Sequence, residues 1–154
     1  MAVLPLISLI VGLLLQAAGE PVFPENLFTL KEKQKLQKNL DDLEERIEVY
    51  RDASVRIFKS IEKEVSTDNY SAIPARLEIW VVLLSESLKD IETNIDPKKR
   101  KLKDLIKYEI QIREALHDLE DFRLRAPPGQ QELFESFIRQ ADDAHGEMVK
   151  ILFQ

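Results

Sequence analysis

Apolar residues recur at alternating steps of four and three along the first long polar stretch of the chain. Seven of the eight positions are apolar, and the eighth is serine: Leu36, Leu40, Leu43, Ile47, Tyr50, Ser54, Ile57 and Ile61. This spacing lines one side of an α-helix and is typical of a coiled-coil seam. Thr29 and Glu32 have the spacing of a capping box. The pattern predicts a first helix from Leu30 to about Val65, roughly 54 Å long.

Three further helices are predicted from the same periodicity. The second starts near Ser71 and runs to about Asn94, the third starts at Asp96-Pro97 and runs to about Leu124, and the fourth spans Gln131 to Phe153. Short connections between long amphipathic helices require antiparallel neighbours. We therefore predict an all-α fold over residues 30–154: an antiparallel up-down-up-down four-helix bundle with a long first helix.

The N-terminal residues have the pattern of a targeting signal. Residues 2–19 carry no charge, and Ala17 and Gly19 fit the small-residue positions of a signal-peptidase site. We predict a signal peptide at 1–19, a linker at 20–29, and export to the periplasm or the extracellular space. No basic residue precedes the apolar block, which opposes export and leaves a retained N-terminal membrane anchor, or an apolar helix of the folded domain, as alternatives.

Composition and motifs narrow the function classes. Asp+Glu 28 against Lys+Arg 22 gives a net charge of -6, which argues against a nucleic-acid partner. With Cys 0, the chain has no catalytic thiol, disulfide or thiolate zinc site. No glycine-rich phosphate loop or serine nucleophile elbow is present. We expect no enzymatic activity and no cofactor.

Two carboxylate-x-x-histidine motifs are the sharpest candidates for chemistry. Glu114 precedes His117 in the third predicted helix, and Asp142 precedes His145 in the fourth. The motifs resemble those of ferritin-like proteins, and the resemblance implies a di-iron or di-manganese carboxylate site. That family usually carries them on its second and fourth helices, and Glu114 is predicted to point away from the core. A di-metal carboxylate enzyme is therefore the alternative function, and no metal site is our first expectation.

Polar residues interrupt the apolar face of the third helix. Glu109 occupies a seam position, and Arg113 lies one turn later, so the two are expected to pair. An unpaired charge there would be costly. We predict a core polar network of Glu109, Arg113 and Tyr50 that fixes helix register, with Arg46 as the other candidate member. A ligand carboxylate or phosphate held by Arg113 is the alternative.

Cations cluster at two predicted helix starts, where they oppose the helix dipole. They are Lys31, Lys33, Lys35, Lys38, Lys98, Lys99, Arg100, Lys101 and Lys103. In an antiparallel bundle both clusters would share one end, the basic pole. Such an end could face an anionic lipid, polymer or partner, and ordinary solvated helix ends are the alternative.

The second predicted helix is apolar on every side between Ile79 and Leu84. A helix apolar all round is either central or in contact with another chain. We predict a partner surface at Ile79, Trp80, Val82 and Leu83. A wide core face covered by an N-terminal segment is the alternative.

Two stretches of the chain resemble exported bacterial helical proteins that are described only as uncharacterised. They are Arg46 to Tyr50, and Lys99 to Arg113 through the positions Lys99, Arg100, Lys103, Leu105, Glu109, Ile110 and Arg113. The resemblance implies no activity. We therefore expect an exported helical-bundle interaction or scaffold module, with a protein partner or a second copy of itself. A module bound to a membrane surface through the basic pole is the second alternative.

Overall fold

A computed structural model describes residues 26–154, and these form five α-helices and one short 3-10 turn, without a strand. The helices are α1 (Leu30–Lys38), α2 (Leu43–Ser66), α3 (Ile73–Asn94), α4 (Lys103–Arg125) and α5 (Glu132–Phe153). The predicted all-α class is therefore confirmed. None of the helices within these residues is both long and apolar enough to cross a bilayer. The predicted signal peptide, and residues 20–25 of the predicted linker, lie outside the described residues.

The predicted long first helix is wrong, because the chain turns between α1 and α2. The backbone leaves the helix at Asn39, and the Asp42 carboxylate caps α2 by accepting a hydrogen bond from the Glu45 amide. The seam pattern continues through Leu40, yet Leu40 is 59% exposed. Asn and Asp favour turns and caps, and here they outweigh one apolar seam position.

Helix α1 folds back along α2 instead of extending it. The Thr29 and Glu32 capping box is present, and the Glu32 carboxylate also contacts the Arg56 guanidinium at 2.8 and 3.0 Å. Burial opposes ionisation of Glu32, but the Arg56 and Thr29 hydrogen bonds outweigh it and lower its pKa. Among the described helices, α1 contacts α2 alone.

The third predicted helix begins later than expected, at Lys103 rather than at Pro97. The Asp96 side chain accepts a hydrogen bond from the Lys98 amide, and the Asp96 carbonyl accepts one from the Lys99 amide, so this segment is a turn. A helix starting at Pro97 would place four consecutive cations against the positive end of its dipole. The later start leaves residues 98–101 in a loop.

The core lies between four helices. Helix α2 contacts α3 and α4, and α5 contacts the same two helices. The largest fully buried side chains are Trp80, Tyr50, Tyr108 and Phe134. Phe58 links α2 to its neighbours, with its ring centroid 5.4 Å from Trp80 and 6.3 Å from Phe122.

The last residues of the predicted linker belong to this core. Leu27 is 1% exposed and lies beside Ile57, Ser60 and Ile79 in the groove between α2 and α3. The Leu27 carbonyl accepts a hydrogen bond from Arg56 at 2.8 Å. Phe28 is also buried, with its ring 6.2 Å from that of Tyr50. The chain is therefore packed against α2 and α3 before α1 begins.

We predict that Leu27→Ala lowers the free energy of unfolding by about 2–5 kcal/mol, the usual cost of emptying a buried leucine site. The matched control is Leu40→Ala, which truncates an exposed leucine and should change it by no more than about 0.5 kcal/mol. Urea denaturation followed by circular dichroism measures both. Equal effects of the two substitutions would mean that Leu27 is not docked.

Candidate functional site

The most deeply buried charges are Arg46, at the start of α2, and Asp90, near the end of α3. Arg46 donates from Nε and Nη2 to the two Asp90 oxygens, each at 2.9 Å, and both side chains are under 10% exposed. This bidentate arrangement is the strongest geometry for an arginine–carboxylate pair. The hydrogen bond to Asp90 raises the pKa of Arg46, so the guanidinium stays charged.

Further groups complete the pair. Arg46 Nη1 donates to the carbonyls of Asn39 at 3.2 Å and Leu40 at 2.6 Å, so the turn between α1 and α2 is bound to the same guanidinium. Asn94 Nδ2 donates to Asp90 at 2.7 Å, and the Tyr50 hydroxyl donates to the other Asp90 oxygen. Each hydrogen bond of this network holds a backbone turn or a helix in place, which indicates a structural role.

Two smaller polar links cross the core. Trp80 Nε1 donates to Ser54 Oγ at 2.8 Å, and Ser54 in turn donates to Gln111 Oε1 at 2.7 Å, which joins α3, α2 and α4. Ser87 and Tyr108 hydroxyls lie 2.9 Å apart and join α3 to α4. The single polar position in the heptad seam, Ser54, is therefore satisfied by both neighbours.

The predicted network of Glu109, Arg113 and Tyr50 divides into two parts. Glu109 and Arg113 form the expected pair at 3.3 Å, but Arg113 is mostly exposed. Glu109 lies closer to His145 Nε2 of α5, at 2.8 Å. Tyr50 is bound to Asp90 instead, and with Arg46 it forms the other network. The error came from assigning Glu109 to the α2 side of α4, whereas it faces α5.

The candidate metal ligands are not brought together. Glu114, His117 and Asp142 are exposed, and His117 is 4.0 Å from Asp121 rather than near a second histidine. His145 is engaged with Glu109. Within residues 26–154 no three His, Asp or Glu side chains are grouped as they would be around a metal ion. The described residues therefore offer no assembled ligand set for the di-metal alternative.

The predicted partner surface on α3 is wrong for two of its four residues. Trp80 and Leu83 are fully buried, and Ile79 and Val82 are half-buried. Trp80 packs on Phe58, and Leu27 lies beside Ile79 in the groove. A helix that is apolar on all sides is central here because two helices and the N-terminal segment cover it.

Exposed apolar residues occur elsewhere. Ile106 and Ile110 lie one turn apart on α4 and are 39% and 37% exposed, and the other large exposed apolar residues within 26–154 are Leu30, Leu40, Leu124 and Phe153. The isoleucines lie off the buried face formed by Leu105, Ile112 and Leu119. That offset was readable from the sequence and is the signal that could have identified them.

The cations of the predicted basic pole lie on two elements. Helix α1, which runs back along α2, carries Lys31, Lys33, Lys35 and Lys38. Its residue Glu32 contacts Arg56, which lies about 15 Å from Arg46 along the axis of α2. Lys98, Lys99, Arg100 and Lys101 remain together in the loop before α4, followed by Lys103. That loop borders an open pocket of about 640 Å³ with Leu152, Phe153 and Gln154. Because α1 turns back, its first lysines lie along α2 near the contact of Glu32 with Arg56, while Lys38 stays next to the turn that Arg46 binds.

Comparison of the chain with models of known protein families, with curated proteins and with solved structures finds no match in any of the three. The resemblance to uncharacterised exported bacterial helical proteins therefore remains one without a named family.

Buried phenols give this core a measurable pH dependence. Burial raises the pKa of Tyr108, and burial together with the Asp90 carboxylate raises that of Tyr50, both far above the ordinary phenol value of 10.0. Below pH 10 the folded and the unfolded chain both keep the phenol protons of Tyr50 and Tyr108. Above it the unfolded chain loses them while the folded chain does not, so stability falls as pH rises.

We predict that Tyr108→Phe makes this alkaline loss of stability shallower by up to about 1.4 kcal/mol per pH unit, the value of one proton. Ser87→Ala is the control, since it removes the hydrogen bond but keeps the phenol, and its slope should match the wild type. Urea denaturation between about pH 9 and 11 gives the slopes. An unchanged slope in Tyr108→Phe would contradict the burial of an un-ionised phenol.

Proposed function

We propose that this chain is an exported, non-enzymatic helical bundle that acts as an interaction or scaffold module. The observation that carries the proposal is how the polar groups are used. Among the described residues, every buried side-chain polar atom except Arg76 Nε has a hydrogen-bond partner. The charged and polar groups of the interior thus serve to hold helices in register, and the groups left for contact lie on the outside.

The architecture we propose is an up-down-up-down bundle of α2 to α5, with α1 folded along α2. Its support is the pairing of helix ends. Arg46 at the start of α2 meets Asp90 near the end of α3, while Glu64 near the end of α2 meets Arg76 near the start of α3. Arg123 near the end of α4 likewise lies 3.9 Å from Glu135 near the start of α5.

Export is supported by the sequence of residues 1–19 alone. The uncharged apolar block followed by Ala17 and Gly19 is the pattern of a cleaved signal peptide. A mature chain beginning at Glu20 would retain Leu27 and Phe28, which the core requires.

The contact surface we propose is the outward side of α4, defined by Ile106 and Ile110. These β-branched residues are adjacent on successive turns, and Lys103, Lys107 and Glu114 around them are exposed. An apolar centre within a polar rim is the usual anatomy of a protein–protein contact. The partner is therefore another protein or a second copy of this chain.

We expect a photo-crosslinking amino acid placed at Ile110 to give a discrete adduct in producing cells, and Ile106→Glu in the same chain to abolish it. The control position is Leu124, which is 62% exposed at the other end of α4 and should give no adduct. Mass spectrometry of the adduct distinguishes another protein from a second copy. Adducts of equal yield at both positions, or an Ile110 adduct that survives Ile106→Glu, would contradict the proposal.

A further inference from the structure

The loop between α3 and α4 concentrates positive charge on an acidic protein. Residues 96–104 contain five cations, Lys98, Lys99, Arg100, Lys101 and Lys103, against two carboxylates, Asp96 and Asp104. Their net charge is +3, in a chain whose net charge is -6. The late start of α4 holds four of these cations on the irregular segment rather than along a helix. The molecule therefore presents one locally basic end.

These cations are not neutralised within residues 26–154. None of the five forms an ion pair with a carboxylate there, although Arg46, Arg51, Arg56 and Arg76 all do. The two carboxylates of the segment are already engaged. Asp104 is 3.0 Å from Arg51, and Asp96 accepts the Lys98 amide at 2.9 Å. Four of the five cations, Lys98, Lys99, Lys101 and Lys103, are exposed, so most of the positive charge of the loop faces solvent.

An exposed aromatic ring stands beside this charge. Phe153 is 76% exposed, and Lys101 Nζ lies 5.9 Å from the centroid of its ring. Leu152 and Phe153 form one wall of the open pocket of about 640 Å³, and residues 97–102 form the other. A soluble anion would use only the cations. A ring that is left in water next to them gains free energy where an apolar phase begins behind the anionic groups, as it does at a bilayer surface.

We propose that this loop and Phe153 dock on the surface of an anionic phospholipid bilayer. The cations are attracted to the negative surface potential, and the ring enters the boundary between headgroups and acyl chains. Lys103 borders both this docking surface and the contact surface at Ile106 and Ile110. The inference is argued from the loop cations and Phe153, so it does not rest on the proposed protein contact. The bundle would lie at the membrane by the end that carries this loop.

The first test is co-sedimentation of the full chain with vesicles of phosphatidylcholine, with and without phosphatidylglycerol. The measured quantity is the ratio of the two partition coefficients, because the apolar residues 3–15 would act equally on both lipids. We expect a ratio well above one at about 50 mM salt that collapses at about 500 mM, since screening weakens exposed charges. A ratio of one at low salt overturns the proposal.

Matched variants locate the surface. Replacing Lys98, Lys99 and Lys101 together by Gln should lower partitioning to the anionic vesicles about 100-fold, at roughly fivefold per cation. Replacing Lys31, Lys33 and Lys35 by Gln makes the same change in net charge on α1 and should leave partitioning nearly unchanged. Equal losses in the two triple variants would mean that total charge, not this loop, governs binding, and would overturn the proposal.

Phe153→Trp tests insertion of the ring. Trp80 is fully buried, so quenching by phosphatidylglycerol with brominated acyl chains reports the new side chain. We expect strong quenching, and none when Leu124 carries the tryptophan instead. Absence of quenching at position 153, or full displacement of the chain from the vesicles by millimolar inorganic phosphate, would indicate a site for soluble anions and overturn bilayer docking.

Discussion

The buried pair of Arg46 and Asp90 is the constraint on which the rest of this structure depends. Removing a guanidinium and a carboxylate from water costs several kcal/mol per ion, which only good geometry and full hydrogen bonding can offset. Here the two donors of Arg46 face both oxygens of Asp90, and Tyr50 and Asn94 occupy the remaining acceptor positions. The charges can therefore be buried only when α2 and α3 are in one register.

The same guanidinium explains why α1 turns back. Arg46 Nη1 binds the carbonyls of Asn39 and Leu40, which lie in the turn where the backbone leaves the helix. A continuous helix would use the Asn39 carbonyl internally and leave this donor buried without a partner. The turn returns α1 along α2 and brings Glu32, in the first helical turn of α1, to Arg56. One ion pair thus influences both the fold and the distribution of surface charge.

Local periodicity predicted the helical stretches and most of their ends, but it joined α1 and α2 into one helix. The seam residues Ile47, Tyr50, Ile57 and Ile61 are all buried as expected. Periodicity failed at Leu40, where the apolar pattern continues across a turn. Asp42 followed three residues later by Glu45 is a helix-start signal, and it was readable beside the seam. The partner of Arg46 could not be read from the sequence, because Asp90 lies 44 residues away and reaches Arg46 only after α2 and α3 pack together.

The candidate sites show the same difference between contacts within one helix, which the sequence predicts, and contacts between helices, which it does not. Glu109 and Arg113 were paired correctly because they are neighbours on one helix. His145 as the closer partner of Glu109 depends on how α5 lies against α4, which no local pattern specifies. The lysine run before α4 was recognised as unfavourable at a helix start, and the structure resolves that conflict by starting the helix later. The patch on α3 was misassigned because central helices and contact surfaces have the same apolar sequence.

A double-mutant cycle on the buried pair tests the central claim most directly. Arg46→Met and Asp90→Leu should each lower the free energy of unfolding by about 3–5 kcal/mol, since each leaves a buried charge without its partner. The double variant removes both charges, so its loss should be smaller than the sum by about 3 kcal/mol or more. Losses that add within about 0.5 kcal/mol would contradict the claim that this pair sets the register of α2 and α3.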